Sequence, residues 1–306
     1  MQIKQLVFQT AKRTKLPPLE IELILAFVLK KSREFLFAHP EYELNKFQIS
    51  DFRFKISKRL KGIPIAYITG YKEFYGLDFM VNQGVLIPRP ETELMVDEAI
   101  NIIKKADSRQ QTAVIIDIGT GSGNIIISLV KLIKGKKSDF FFLATDISKR
   151  ALSVARKNAR LHQVNDKIKF FYGNLLEPIL KFKILNPKSK IIILANLPYL
   201  APKQIKQSPT IKYEPKSALN GGADGLKYYR QLFEQIKMLG VTCYVLCEID
   251  PSQTQKMKTL IKNELPTATY EIKKDLCGHN RLAIIHMSFP RPLALAKASG
   301  ESKKNY

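Results

Sequence analysis

The 306-residue sequence contains no tryptophan, three cysteines and four histidines. Cys243, Cys247 and Cys277 form no C-x-x-C pair, and the histidines are scattered without the spacing of a metal site. We therefore expect no bound metal. We expect the three cysteines to be small core residues, because an unpaired cysteine usually behaves as a buried apolar side chain.

Acidic residues are also scarce, and long apolar runs are missing. Lys and Arg number 50 against 27 Asp and Glu, which gives a formal net charge of +23. Such a charge favours anionic partners, but the basic residues are dispersed, so we do not expect a direct nucleic-acid substrate. No apolar run approaches the roughly 20 residues that span a bilayer, and the N-terminus lacks a signal-peptide pattern. We expect no membrane association and a cytoplasmic location.

A glycine-rich loop follows the strand pattern Ala113–Ile118. Gly119, Thr120, Gly121, Ser122 and Gly123 form this loop, and an apolar helix pattern follows it. Glycines at alternate positions let the backbone turn sharply and approach a ligand closely. The spacing is G-x-G-x-G and not the dinucleotide pattern G-x-G-x-x-G. It predicts a nucleotide-type cradle and leaves a redox Rossmann domain as an alternative.

Two later strand patterns end in groups that suit the same ligand. The run Phe140–Thr145 ends at Asp146, whose carboxylate can accept hydrogen bonds from ribose hydroxyls. The next strand pattern leads to Asn174 and Leu175, which we expect beside an adenine. Ligands of open α/β sheets bind where strand ends meet, so these residues predict one shared cleft.

Asn196, Leu197, Pro198 and Tyr199 follow another apolar run, Ile191–Ala195. The Asn196 side-chain oxygen and the Leu197 carbonyl are adjacent acceptors for the two N–H bonds of a planar NH2 group. Pro198 favours extended geometry at Leu197, and Tyr199 offers a flat face for stacking. The tetrapeptide predicts methyl transfer onto nitrogen. The alternative is a strand that simply ends in a proline turn.

Patterns along the chain predict two domains and a tail. Ile21, Ile24, Leu25, Val28 and Leu29 recur at helical spacing, so residues 1–68 form a small helical domain. Residues 69–91 form a β-hairpin and linker, with the hairpin between Phe74 and Ile87 and its turn at Asn82-Gln83-Gly84. Residues 92–289 form the α/β domain, a parallel sheet wound on both faces, and residues 290–306 form a disordered tail.

Several local signals refine this plan. Thr92 is expected to cap a helix that starts after Pro90, and Arg89 is expected to orient this linker through Glu91 or Glu93. A later helix is expected to end at Gly240. The strand before Glu248 places that carboxylate either in the cleft or in solvent, and Leu282–Met287 is the final strand.

The chain resembles the release-factor glutamine methyltransferases, which are class I S-adenosylmethionine-dependent methyltransferases, over nearly its whole length. The most specific matches lie upstream of the glycine loop, and others lie downstream. They are the segments 62–70, 73–76, 85–93, 214–226 and 275–278 with Arg281. The resemblance implies a Rossmann-like sheet of seven strands with the last antiparallel, and a helical N-terminal domain that grips a release factor.

The resemblance also implies roles for individual residues. S-adenosyl-L-methionine would be bound by the glycine loop, by Asp146, by Asn174 and Leu175, and by Asn196. The tetrapeptide would hold the glutamine of a Gly-Gly-Gln loop in a peptide chain release factor, with Asn196 and Tyr199 as catalytic residues. A ribosome-associated setting is a further expectation. The product would be a glutamine methylated on its side-chain nitrogen.

Two departures from the family pattern keep alternatives open. Leu197 stands where the family usually has proline, and Asn174 stands where an acidic residue is more common. Both positions still present an oxygen acceptor. Asn-Leu-Pro-Tyr also resembles the ribosomal-RNA adenine dimethyltransferases, so adenine N6-methylation of RNA or DNA is an alternative function. A non-enzymatic, ribosome-associated binding protein is the third, and the intact glycine loop argues against it.

Overall fold

The structure is a computed structural model that describes residues 1–105, 112–133, 140–182 and 189–289. The expected tail, residues 290–306, lies outside the described residues. Within these ranges no helix combines the length and the apolar character needed to cross a membrane. The same ranges hold no group of three or more His, Cys, Asp or Glu side chains arranged to bind a metal ion.

The N-terminal region is helical, as expected. The helix α2 buries Ile21, Ile24, Leu25 and Leu29 on one face, and this core is separate from those of the sheet. An ion pair between Arg59 and Glu20, 2.7 Å long, joins the last long helix of the region to α2. A separate core supports, as a proposal, a domain boundary near residue 68. The five helices are α1 (Ile3–Thr14), α2 (Pro18–Leu29), α3 (Arg33–Ala38), α4 (Lys46–Leu60) and α5 (Ile65–Thr69).

A β-hairpin follows, but its turn is not the expected one. The strands β1 (Tyr71–Phe74) and β2 (Leu77–Met80) pair antiparallel around Tyr75 and Gly76. Both turn residues have positive φ, 54° and 71°, which matches the twist of a two-residue hairpin. The turn expected at residues 82–84 follows the hairpin instead, where the Asn82 side chain accepts the Gly84 N–H at 2.8 Å.

The remaining strands form one seven-stranded sheet, in agreement with the fold expected from the sequence. Its order is β5-β4-β3-β6-β7-β9-β8, and β9 alone runs antiparallel to its neighbours in the described sheet. The last strand is therefore antiparallel, as expected. The strands are β3 (Ala113–Ile118), β4 (Phe140–Asp146), β5 (Ile168–Tyr172), β6 (Lys190–Ala195), β7 (Cys243–Glu248), β8 (Thr269–Lys274) and β9 (Asn280–Met287).

Helices cover both faces of this sheet and create two cores. On β3, Ile116 packs into one core and Ile115 into the other. A strand that is buried on both faces favours apolar residues along its whole length, and Asp117 is the single polar residue of β3. The helices are α6 (Glu93–Lys104), α7 (Asn124–Leu132), α8 (Lys149–Leu161), α9 (Glu177–Phe182), α10 (Pro202–Gln207), α11 (Lys227–Leu239) and α12 (Thr254–Glu264).

Two further local expectations have different outcomes. The helix α11 ends before Gly240, which has φ 63° and caps the helix as expected. Cys243 and Cys247 are buried in β7, but Cys277 is exposed. The expectation was wrong for Cys277 because this residue lies in a tight turn, where its N–H donates to the Asp275 carboxylate instead of packing in a core.

The parallel strands β3, β4, β5 and β6 all end at the same edge of the sheet. The glycine loop, Asp146, Asn174 and Asn196 each follow one of these strand ends directly or within a few residues. The fold therefore brings together four segments that are far apart in the sequence.

Candidate active site

A cavity of about 230 Å³ opens at this edge of the sheet. Twelve residues were proposed for ligand or substrate binding from the sequence. Ten of them line this cavity, and Gly123 and Tyr199 do not. The segment after β2, Thr92 just before α6 and the segment after α10 contribute further walls. The proposed residues in the lining are Gly119, Thr120, Gly121, Ser122, Asp146, Asn174, Leu175, Asn196, Leu197 and Pro198.

The glycine loop requires its glycines for two different reasons. Gly119, Gly121 and Gly123 have φ values of 68°, 56° and 81°, which residues other than glycine rarely adopt. A Cβ atom on Gly123 would lie 2.9 Å from Ile127 Cδ1 and 3.2 Å from Ala155 Cβ. Gly123 thus allows α7 and α8 to pack closely, while Gly119 and Gly121 line the cavity.

Asp146 connects the end of β4 to the glycine loop. Its Oδ2 accepts the Gly121 N–H at 2.9 Å, and its Oδ1 accepts the Ser148 N–H at 2.8 Å. Burial raises the pKa of this carboxyl, and these backbone N–H groups oppose the rise. Each oxygen keeps a free lone pair, so the carboxylate can fix the loop and still accept from a ligand hydroxyl.

Two residues that were not predicted from the sequence form hydrogen bonds with the glycine loop. Asp117 is the penultimate residue of β3, is fully buried, and accepts the Thr120 hydroxyl at 2.6 Å. Burial raises its pKa to about 7. Asn158 is also fully buried and donates to the Ser122 carbonyl at 2.8 Å and to the Met80 carbonyl at 3.0 Å. An acid two residues before a glycine loop was the available signal for Asp117, whereas no local pattern identifies Asn158.

Asn174 and Leu175 form another part of the cavity wall. The Asn174 amide nitrogen donates to Glu177 Oε1 at 2.9 Å, which leaves its side-chain oxygen as an acceptor. Leu175 has φ 51°, a conformation that costs a branched apolar residue of the order of 1–2 kcal/mol. The strained backbone turns the buried Leu175 side chain into the cavity lining.

Asn196 has its amide orientation set by a residue far away in the sequence. Its Nδ2 donates to Thr92 Oγ1 at 3.0 Å. This bond leaves Oδ1 as the free acceptor at a residue that lines the cavity. Thr92 precedes α6, but its side chain makes no capping hydrogen bond, so the expected role was wrong. Thr92 has helical dihedrals, and its hydroxyl is engaged by Asn196 instead.

The rest of the tetrapeptide divides between the cavity and the core. Leu197 and Pro198 line the cavity, and the Leu197 carbonyl has no hydrogen-bond partner within the described ranges. Tyr199 lies behind them, outside the lining, with its hydroxyl 3.4 Å from Glu248 Oε1. Its carbonyl accepts the Gln253 amide at 2.6 Å. The backbone of this segment is therefore held from the side opposite the cavity.

Glu248 is buried and only 1% exposed, so the solvent alternative for this residue is wrong. Burial raises the pKa of its carboxyl to about 7, while hydrogen bonding by Thr92 and Tyr199 and the charge of Arg281 oppose this rise. Glu248 does not line the cavity either, so the cleft alternative is also wrong, and the carboxyl is buried with the Tyr199 hydroxyl 3.4 Å from its Oε1.

Arg89 lines the cavity, but its partner differs from the expected one. The guanidinium forms an ion pair with the buried Glu214 and not with Glu91 or Glu93. Glu214 also accepts the Ile87 N–H at 3.1 Å. This carboxylate therefore joins the linker to the segment after α10, and both segments supply walls of the cavity.

Two family models match this chain. The model described as PrmC N-terminal domain matches residues 5–70, and the model described as methyltransferase domain matches residues 109–288. A release factor glutamine methyltransferase of Dictyoglomus turgidum is 38% identical over 265 residues, which cover 86% of this chain and 89% of that protein. One of Coxiella burnetii is 33% identical and covers 92% and 96% of the two chains.

Solved structures agree on the fold of the sheet domain. The catalytic domain of hMettl16 with a MAT2A 3'UTR hairpin aligns with a TM-score of 0.54 at 17% identity, over 71% of this chain and 77% of that one. The human methyltransferase 10 domain containing protein aligns with a TM-score of 0.50 at 18% identity, over 81% and 100%. At these identities the likeness establishes a methyltransferase fold and nothing about the substrate.

Proposed function

The chain belongs to the release factor glutamine methyltransferases, and from this premise we propose that it methylates the side-chain amide nitrogen of the glutamine in the Gly-Gly-Gln motif of peptide chain release factors. The observation that carries the proposal is the orientation of Asn196. Its amide nitrogen is engaged by Thr92, so its oxygen is the group left for a substrate in the cavity.

A primary amide suits this arrangement for a chemical reason. Its nitrogen is a poor nucleophile because the lone pair is delocalised, so its orientation decides whether it can attack. Asn196 Oδ1 and the Leu197 carbonyl are neighbouring acceptors for its two N–H groups. Holding the nitrogen in a near-attack orientation lowers the barrier through positioning and electrostatics, which together can contribute about 7–11 kcal/mol.

The residues present fit S-adenosyl-L-methionine as the methyl donor, which when bound supplies an electrophilic methyl group on a positively charged sulfur. Asp146 keeps acceptor capacity for ribose hydroxyls beside the glycine loop. The Asn174 oxygen and the Leu175 side chain present one polar and one apolar group, which suit an adenine.

The remaining parts of the proposal concern the partner. The helical N-terminal region would bind the release factor, and the net charge of +23 would favour an acidic or ribosome-associated setting. A substrate that acts in translation implies action in the cytoplasm. Tyr199 lies outside the cavity lining, so we assign it to holding the tetrapeptide in place, and stacking on the substrate remains its second proposed role.

The test is to incubate the protein with S-adenosylmethionine labelled in the methyl group and three separate acceptors. These are a release factor, the same factor with its Gly-Gly-Gln glutamine replaced by alanine, and ribosomal RNA. We expect label on the unaltered factor alone. Label on RNA would favour adenine methylation, and equal label on both factors would place the methyl group elsewhere on the protein.

A further inference from the structure

The four residues of the tetrapeptide lie beyond the end of the sheet ladder. The strand β6 ends at Ala195, and its pairing with β3 and with β7 stops at the same residue. The Asn196 side chain can turn about its own bonds, but the Leu197 carbonyl moves only with the backbone. The direction of this carbonyl therefore depends on the contacts that hold the chain before and after it.

Tyr229 holds the residue that precedes the tetrapeptide. This tyrosine of α11 is fully buried, and its hydroxyl donates to the Ala195 carbonyl at 3.2 Å. The same hydroxyl forms a hydrogen bond with the Glu248 carbonyl, at the end of the neighbouring strand β7. A tyrosine hydroxyl has one proton, so the two carbonyls share a single donor. One buried side chain thus joins the ends of β6 and β7 at the residue before Asn196.

Gln253 holds the last residue of the tetrapeptide. It is 4% exposed, and its Nε2 donates to the Tyr199 carbonyl at 2.6 Å and to the Asp224 carbonyl at 3.3 Å. Its Oε1 accepts the Asp250 N–H at 3.3 Å. Both ends of this amide are therefore engaged, and all three partners are backbone groups from different segments of the chain.

A glycine in the segment after α10 leaves room for the contact between Gln253 and Tyr199. Gly225 has φ 77°, and a Cβ atom on it would overlap both Gln253 Nε2 and the Tyr199 carbonyl oxygen. The Tyr199 carbonyl is thus enclosed by the Gln253 amide and by the backbone of Gly225. So close a fit leaves the residue after Pro198 little freedom to move.

The two side chains have a placement that suits the acceptor side of the cavity. Their carbonyl partners at Ala195 and Tyr199 bracket Asn196, Leu197 and Pro198. Neither Tyr229 nor Gln253 lines the cavity itself. They can therefore act on a bound substrate only through the backbone that they hold.

We propose that Tyr229 and Gln253 are positioning residues that fix the two ends of the tetrapeptide, so that the Leu197 carbonyl and the Asn196 side chain meet the substrate amide in one orientation. This inference rests on the proposed function. A displacement of about 1 Å can lower a rate by about 100-fold. Loss of either contact should therefore lower turnover, while the glycine loop and Asp146 keep their affinity for the cofactor.

The first test replaces Tyr229→Phe in the full-length protein. Phenylalanine keeps the ring in the core and removes only the hydroxyl, so the Ala195 carbonyl loses its side-chain donor. We expect kcat on the release factor to fall by roughly 10-fold, with the calorimetric Kd for S-adenosylmethionine within about twofold of wild type. Tyr244→Phe should keep wild-type kcat and is the matched control, because Tyr244 lies near the start of β7, at the edge of the sheet opposite the cavity.

The second test uses Gln253→Glu and Gln253→Met. Glutamate keeps the acceptor for the Asp250 N–H but loses both donors, and methionine has a similar length and no charge. We expect both variants to lower kcat by roughly 10- to 100-fold with cofactor affinity near that of the wild type. Gln255→Glu is the matched control, since it introduces the same charge at an exposed position of α12. The methionine variant decides the matter if the buried charge unfolds the glutamate variant.

Calorimetry separates positioning from a purely structural role. A partly unfolded variant would bind less cofactor per mole of protein, and its kcat would fall in proportion to the lost binding sites. A displaced tetrapeptide instead leaves the stoichiometry and the Kd unchanged while kcat falls. The inference is overturned for either residue whose variants keep the wild-type kcat per cofactor-binding site.

The design distinguishes the inference from the proposed function. If the wild type labels RNA and not the release factor, the proposed function fails, and the inference about a substrate amide fails with it. If the wild type labels the factor and the variants match it in kcat, the proposed function stands and the inference about Tyr229 and Gln253 fails.

Discussion

The two halves of the cavity are built from different parts of the polypeptide. The proposed cofactor half, defined by the glycine loop, Asp146, Asn174 and Leu175 and called the cofactor half below, is organised mainly by backbone groups. Asp146 binds two backbone N–H groups, and the loop depends on glycines with positive φ. The acceptor half, defined by Asn196–Tyr199, Thr92 and Glu248, is organised by side chains that meet across the fold.

Because of this difference, single substitutions should affect the two halves of the cavity in different ways. A backbone cradle is fixed by the fold, so changing one side chain there should weaken ligand binding by a limited amount. A contact between two side chains depends on both of them, and one substitution can remove it without unfolding the protein. Substitutions in the two halves should therefore change different constants, cofactor affinity in one and turnover in the other.

The largest expected effect is in the acceptor half. Asn196→Ala removes the acceptor oxygen, and we expect kcat to fall by about 100- to 1,000-fold while the Kd for S-adenosylmethionine stays near that of the wild type. Methyl transfer assays and calorimetry measure the two constants. Asn263→Ala on the exposed face of α12 is the control. An unchanged kcat would remove Asn196 from the mechanism.

A second substitution moves the acceptor half without touching its side chains. A Cβ atom on Gly221 would lie 2.4 Å from the Pro198 carbonyl oxygen and 2.8 Å from Tyr199 Cα. Gly221→Ala must displace this backbone, and we expect kcat to fall by about 10- to 100-fold with normal cofactor affinity. Gly240→Ala is the control for backbone strain alone, since Gly240 has φ 63° and its Cβ would have nothing within 4 Å. A wild-type kcat for Gly221→Ala would show that the backbone position is not critical.

The corresponding substitution in the cofactor half should change cofactor affinity more than turnover. Asp146→Ala removes the proposed acceptor for the ribose and also the carboxylate that accepts the Gly121 N–H. We expect cofactor binding to weaken by about 1–3 kcal/mol, measured by calorimetry, with most of kcat recovered at saturating cofactor. Equal affinity of variant and wild type would refute the role of Asp146.

The smallest expected effect concerns stability and pH. The pKa of Glu248 is raised from 4.5 to about 7, so the folded state binds its proton more tightly than the unfolded state. Wild-type stability then decreases as the pH rises from about 4.5 to 7, and the full cost applies above that range. Glu248→Gln should therefore gain about 1–3 kcal/mol relative to wild type between pH 5 and pH 8 in denaturant titrations. The same difference at both pH values would contradict this.

The cofactor half was predictable from the sequence because its signals are local. An apolar run, alternate glycines and a terminal acid lie within a few residues of each other, and strands of a parallel sheet all end at one edge. The number of strands and the antiparallel last strand came from the family resemblance instead, and the order of the strands was not predicted. Gly123 shows the limit of the motif, because it fits the pattern but packs against Ala155 away from the cavity.

The acceptor half was only partly predictable, because its contacts join distant residues. Thr92 fits a capping pattern in its local sequence, yet its hydroxyl binds Asn196, 104 residues away. Arg89 has two acidic neighbours in sequence, but a buried carboxylate at Glu214 is the stronger partner. The hairpin turn was misplaced because Asn82-Gln83-Gly84 carries turn residues, whereas Tyr75-Gly76 has the dihedrals that match the strand twist.

The most direct test of the account is to locate the transferred methyl group on the product. A release factor incubated with the protein and S-adenosylmethionine would be digested, and the peptide with the Gly-Gly-Gln motif fragmented in a mass spectrometer. We predict one added methyl group on the side-chain nitrogen of that glutamine, and its loss with Asn196→Ala. A methyl group on any other residue, or an unmodified glutamine beside methylated RNA, would contradict the account.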